Sequence, residues 1–216
     1  MSLNYEHLIE SGDYEAALKE IFEQIEIEKD NEVHYINGGL VLYKLEKLDE
    51  AVAFLERAIE VAEDSTLAIY SLGNIYYEEG KYKDARTLFL SIYDKMAEDH
   101  DLNYMIALCH VNLNEARMSI PFFEAAIKDN DDTEILFQYG VLLCQLGLLE
   151  QGETLLNRIV SLEDHADAEY NLGLVKLTKD SDLLRAKTHF ERAIMIQNDH
   201  ILAHHALKEV NKQLEN

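Results

Sequence analysis

Small residues recur along this chain at a fixed interval, and that interval restricts the fold more than any other feature. Gly39, Gly73, Ala107, Gly140 and Gly173 are separated by 34, 34, 33 and 33 residues. Ala17, Ala51, Ala85, Ser119, Gly152 and Ala186 keep the same step, as do Ala58, Ile92, Ala126, Ile159 and Ala193. Large apolar residues travel in phase with them: Ile21, Leu55, Phe89, Phe123, Leu156 and Phe190. Such a period marks a repeat protein. Each copy is one supersecondary unit that cannot bury its apolar faces alone and does so by stacking on its neighbours.

Inside one unit the spacing is helical. Ile69, Leu72, Gly73 and Tyr76 fall at i, i+3, i+4 and i+7, one face of a helix. Gly80 interrupts the pattern, and Tyr82, Ala85, Phe89 and Ile92 resume it. Each unit is therefore expected to be two antiparallel helices joined by a short turn. The small residue in each helix belongs where neighbours cross, because a bulky one would hold the backbones apart.

These residues carry a resemblance. A helix-turn-helix of 34 residues with Gly at the eighth position and Ala at the twentieth and twenty-seventh resembles the tetratricopeptide repeat. EYNLGLVKL at 169–177 and IYSLGNIYYEEGKYKDARTLFL at 69–90 match it best. The resemblance covers essentially the whole chain and implies an all-α fold, a right-handed α-solenoid forming a single domain over 1–216. Its repeats run over about 1–31 (clipped), 32–65, 66–99, 100–132, 133–165 and 166–200, with a capping helix over 201–216. Ala203, Leu207, Val210 and Leu214 give that last helix one apolar face opposite Lys208, Glu209, Lys212 and Gln213, as suits a polar cap. The whole looks like the short stand-alone tetratricopeptide proteins of bacteria.

The chain departs from the family pattern in three places. Pro is absent from the ends of the second helices, where DND and NDH supply turn and N-cap residues instead. The lone Pro121 is expected early in a second helix, where its missing N–H matters little. Unit six holds one extra residue in KDSDLLRA, so its internal turn should be distorted.

Charge excludes some partners. With 42 acidic and 19 basic residues the net charge is −23. Nucleic acids and anionic membrane surfaces, which need basic groups, are thereby excluded. The same excess favours basic or neutral partners, or serves solubility alone. No run approaches the length of a membrane span. MSLNYEHLIE lacks the basic and apolar blocks of a secretion signal, and two cysteines make no disulfide scaffold, so a reduced, cytoplasmic setting is expected.

Catalytic signatures are missing. The chain has no phosphate loop, HExxH, GxSxG or CxxC. Cys109 and Cys144 read as small packing residues. His200, His204 and His205 beside Asp199 form the strongest metal-ligand candidate, but their spacing straddles the expected start of the cap helix. No metal, cofactor or catalytic residue is assigned.

The family resemblance implies a concave groove lined by the first helices, through positions two, five, six, nine, twelve and thirteen. Position six holds Asn37, Ser71, Met105, Gln138 and Asn171; position five holds Ile36, Tyr70, Tyr104, Phe137 and Tyr170. Position nine adds Asn74, position twelve adds Tyr43 and Tyr77, and position two turns acidic at Asp101, Glu134 and Asp167. Family members that clamp a terminal carboxylate use Lys, Arg and Asn here, and the charge-assisted grip comes from the Lys and Arg. This chain has only Lys44 and Lys176 at the margins, so that mode is disfavoured.

The expectation is a non-catalytic protein–protein interaction scaffold that binds an extended peptide or partner segment in the groove. An Asn amide can pair with both N–H and C=O of a main chain. The alternatives are a homo-oligomeric assembly module and, in another class, a metal-dependent enzyme at the C-terminal histidines.

Overall fold

The computed structural model describes residues 5–215, and among these every regular element is helical. The chain divides into two compact units, Met1–Glu115 and Ala116–Asn216. The first holds α1 (Glu6–Glu10), α2 (Tyr14–Ile27), α3 (Glu32–Lys44), α4 (Leu48–Val61), α5 (Thr66–Glu78), α6 (Tyr82–Ser91), α7 (Tyr93–Met96) and α8 (His100–Asn112). The second holds α9 (Ala116–Ala126), α10 (Thr133–Gln145), α11 (Leu149–Leu162), α12 (Ala166–Val175), a π-helical turn (Lys176–Asp180), α13 (Leu183–Ile196) and α14 (Ile201–Leu214). Within each unit consecutive helices pack as stacked pairs, the all-α arrangement of a helix-turn-helix solenoid.

Local chemistry sets the helix starts. Asn31, Asp99 and Asp132 cap α3, α8 and α10, their side-chain oxygens accepting backbone N–H groups of the first turn. His165 and His200 do the same for α12 and α14 through Nδ1, which accepts the N–H three residues on.

The turns between paired helices share one backbone device. Gly12, Glu46, Gly80, Asn114, Gly147 and Ser181 all have positive φ, and they recur at the repeat period. After the first five, the next N–H reaches back to the fifth carbonyl before it, as in Lys47 N–H to Leu42 O at 2.9 Å and Lys81 N–H to Tyr76 O at 2.8 Å. A left-handed residue closed by such a bond is the Schellman termination of a helix. In the sixth turn the extra residue of KDSDLLRA is absorbed by the π-helical turn. There the Asp182 N–H reaches Lys176 O, six residues back, at 3.0 Å. The distortion expected from the insertion is present and has this form.

The periodic residues build the core. All of Ala51, Ala58, Leu55, Leu72 and Ile75 are buried in one cluster of the first unit; Leu136, Leu156, Ile159, Leu172 and Val175 repeat the arrangement in the second. Each cluster joins a helix pair to the first helix of the next pair. Burial of each Leu or Ile side chain contributes about 1.5–3 kcal/mol relative to exposure.

Two expectations need correction. Pro121 is not early in its helix but sixth of the eleven residues of α9. It lies on the exposed side, so the Arg117 carbonyl that loses its partner there can be met by water. The cap helix α14 does bury Ala203 and Val210, but Leu214, Ile201 and Leu202 remain exposed, so its outer side is not uniformly polar. No helix among the described residues is long and apolar enough to cross a membrane.

Candidate functional site

In the first unit, the residues singled out lie on α3, α5 and α8, and hydrogen bonds join neighbouring helices. Tyr43 on α3 donates its hydroxyl to the Glu78 carboxylate on α5. Tyr77 on α5 accepts from Asn112 Nδ2 on α8 at 3.0 Å. Both pairs span 35 residues and link position twelve of one repeat to position thirteen of the next. They are rungs. Their partners Glu78 and Asn112 were not among the expected site residues, because nothing in a single helix reveals a pairing across the period.

Asn37 donates Nδ2 to the Tyr5 hydroxyl at 3.3 Å, and that oxygen lies 2.8 Å from Nδ1 of the buried His34. Burial, more than any neighbour, holds the Tyr5 phenol above its ordinary pKa. The Tyr70 phenol is raised too, first by burial and then by the Asp101 carboxylate, so the structure brings those two expected residues together. Tyr104 is half-buried on α8. Asn74 differs from Asn37: its Oδ1 is buried and has no hydrogen-bond partner.

In the second unit the face is formed by α10 and α12. Glu134 and Asp167 stand exposed in the first turns of these helices. One turn on, Gln138 donates to Glu134 Oε1 at 2.9 Å and Asn171 donates to Asp167 O at 2.8 Å. The oxygens of Asn37, Gln138 and Asn171 accept no hydrogen bond among the described residues. Asp167 also meets His200 Nε2 at 3.1 Å.

The position-five aromatics are only partly free for a ligand. The Phe137 ring stacks on His165, centroids 4.8 Å apart, and Tyr170 packs against both Phe190 and His200. Each therefore seats the N-cap of the following first helix.

Of the marginal cations, Lys176 is ion-paired and Lys44 is exposed. Lys44 Nζ lies 6.0 Å from the Tyr43 ring centroid. Lys176 is bonded to Glu153, which also takes Lys179 at 2.9 Å, and these ammonium groups hold the Glu153 carboxyl below the usual carboxylate range.

Among the clefts on the surface, two lie beside the helices described above or the first helix pair. One of about 310 Å³ lies between α10 and α12 and is walled by Val141, Cys144, Leu149 and Leu174, with Asn171 and Thr178 among its polar groups. The other, about 650 Å³, lies beside α2 around Leu18, Phe22 and Leu45. Among the described residues no group of three or more His, Cys, Asp or Glu is placed to hold a metal ion. His200 is committed to Asp167 and the α14 cap, while His204 Nε2 bonds Asn198 O at 2.8 Å.

Comparison with known proteins places this geometry among relatives. A tetratricopeptide repeat family model matches residues 36–100. The crystal structure of YrrB, described as a TPR protein with an unusual peptide-binding site, is 32% identical with a TM-score of 0.78, and the match covers 87% of this chain and 97% of that one. The TPR repeat-containing protein YpiA of Bacillus subtilis is 24% identical over 176 residues, 80% of this chain. Tetratricopeptide repeat protein 37 of Xenopus laevis is 33% identical over 95 residues, 44% of this chain. The chain spans 39% of the Bacillus protein's length and 6% of the Xenopus protein's.

Proposed function

The chain belongs to the tetratricopeptide repeat family, and from that premise we propose that it is a non-catalytic scaffold binding an extended segment of a partner protein along the exposed faces of its first helices. The observation that carries this reading is a surplus of hydrogen-bond acceptors. On α3, α10 and α12 the amides of Asn37, Gln138 and Asn171 each use a nitrogen inside the chain and keep the oxygen for water or a ligand donor. The carboxylates of Asp101 on α8 and Glu134 on α10 stand exposed as well. Each unit's surface is thereby complemented by donors: backbone N–H groups of an extended chain, and Lys or Arg side chains. The partner is accordingly basic or neutral. The likeness to YrrB, itself described by its peptide-binding site, supports the same reading.

The test is affinity capture of the partner, followed by titration with the Asn37→Ala/Asn74→Ala/Asn171→Ala variant. Weakening by about 1 kcal/mol per hydrogen bond lost is expected. Unchanged affinity in a folded variant would overturn the role of the amides.

A further inference from the structure

The cleft between α10 and α12 occupies the place where the first unit carries its tyrosine rungs. Tyr43 and Tyr77 fill position twelve of α3 and α5 and reach Glu78 and Asn112 at position thirteen of the next first helix. The corresponding pair is Cys144 on α10 and Thr178 in the π-helical turn that follows α12. Neither side chain is long enough to bridge, and Thr178 turns its hydroxyl back to Leu174 O at 2.9 Å. The space a tyrosine ring would fill stays open, at about 310 Å³, with both residues in its wall. The rest of the wall keeps the rung's surroundings. Tyr77 packs edge-on against Tyr82, centroids 5.2 Å apart, and the residue in Tyr82's register is Leu149, which lines the cleft.

We propose that this cleft receives the aromatic side chain of a Tyr or Phe in the partner segment, which takes the place of the missing internal ring. The proposal rests on the scaffold reading above and adds to it the residue the segment must present. Val141, Leu149, Leu174 and Val175 supply the apolar contact for the ring, and aromatic side chains carry large buried area at little entropic cost. Asn171 and Thr178 offer polar atoms at the rim for a phenol hydroxyl. Exposed Asp167, one turn before Asn171, favours a Lys or Arg beside the aromatic residue over an acidic one. The volume sits at the lower end of the range of small-molecule sites, enough for one ring.

The chain's own pattern provides the blocking variant. Cys144→Tyr installs the residue that Tyr43 and Tyr77 represent at the same register. A phage-displayed library of random octapeptides is selected on the full chain, and the enriched peptides are titrated by fluorescence anisotropy. Enrichment of Tyr or Phe is expected, with at least a tenfold loss of affinity on Cys144→Tyr. Replacing the peptide's aromatic residue by Ala should cost as much on the parent and nothing further on the variant. Val141→Asp, at the cleft wall, gives the same loss by a second route should Cys144→Tyr fold poorly. Enriched peptides without an aromatic residue, or ones that bind both variants as tightly as the parent, would overturn the cleft assignment while leaving the scaffold reading intact. No enrichment of any peptide would sink both.

Discussion

A Cβ added to Gly73 would lie 2.5 Å from Cε1 of Phe89, a ring that is fully buried and cannot withdraw. Gly173 stands in the same relation to Phe190, at 2.5 Å. At the equivalent Gly140 the neighbour is Leu156 at 3.4 Å, ordinary contact. Glycine is therefore demanded at Gly73 and Gly173, as it is at Gly39, where a Cβ would lie 2.8 Å from Leu55, and merely permitted at Gly140. Gly73→Ala should lose about 1–3 kcal/mol through overpacking, whereas Gly140→Ala should be neutral or gain up to about 1 kcal/mol of helix propensity. Urea denaturation of the two variants checks the contrast; equal effects would contradict it.

Glu46 occupies the left-handed turn position with φ of 60°, where Gly12, Gly80 and Gly147 stand in three of the other turns. It is exposed, so its cost is one of backbone conformation. Glu46→Gly should stabilise the chain by about 1 kcal/mol. Gly80→Ala should destabilise it by a similar amount even though nothing lies within 4 Å of the added carbon. Thermal melts of both variants decide this.

The Glu153 carboxyl is held low by its bond to Lys176, with Lys179 adding to the effect. A carboxyl depressed in the folded state stabilises above its unfolded pKa of about 4.3 and loses that contribution as pH falls through the folded value. Glu153→Gln should cost about 2 kcal/mol at pH 7. The gap from the parent should shrink steadily below about pH 4. Urea midpoints measured across that range would refute the assignment if the gap stayed constant.

Burial pushes the Cys109 thiol up to about 12 and raises that of Cys144 as well. Both should stay protonated at pH 7.5 and react slowly with a thiol reagent in the folded chain, Cys109 the slower of the two. Titration with Ellman's reagent, with and without urea, provides the comparison. A fast native thiol would point to chemistry the packing does not provide.

The repeat, the helices and the crossing residues were legible because each depends on spacing within one or two helices. The turn device was not. Only half of its six positions are glycine; Asn114 is a known substitute, but Glu46 and Ser181 carry no sign of positive φ. The expected face was legible as a set of positions, but two things about it were hidden. Phe137 and Tyr170 spend part of their rings on His165 and His200, because position five faces the next N-cap as well as solvent. The rungs to Glu78 and Asn112 join residues 35 apart, a relation no periodic pattern within a helix displays.

The most direct measurement is a hydrogen-exchange footprint of the captured partner segment on the full chain. The account predicts slowed exchange and protection concentrated on α3, α5, α8, α10 and α12, with little change on α4, α6, α11 and α13. Protection confined to those second helices would contradict it.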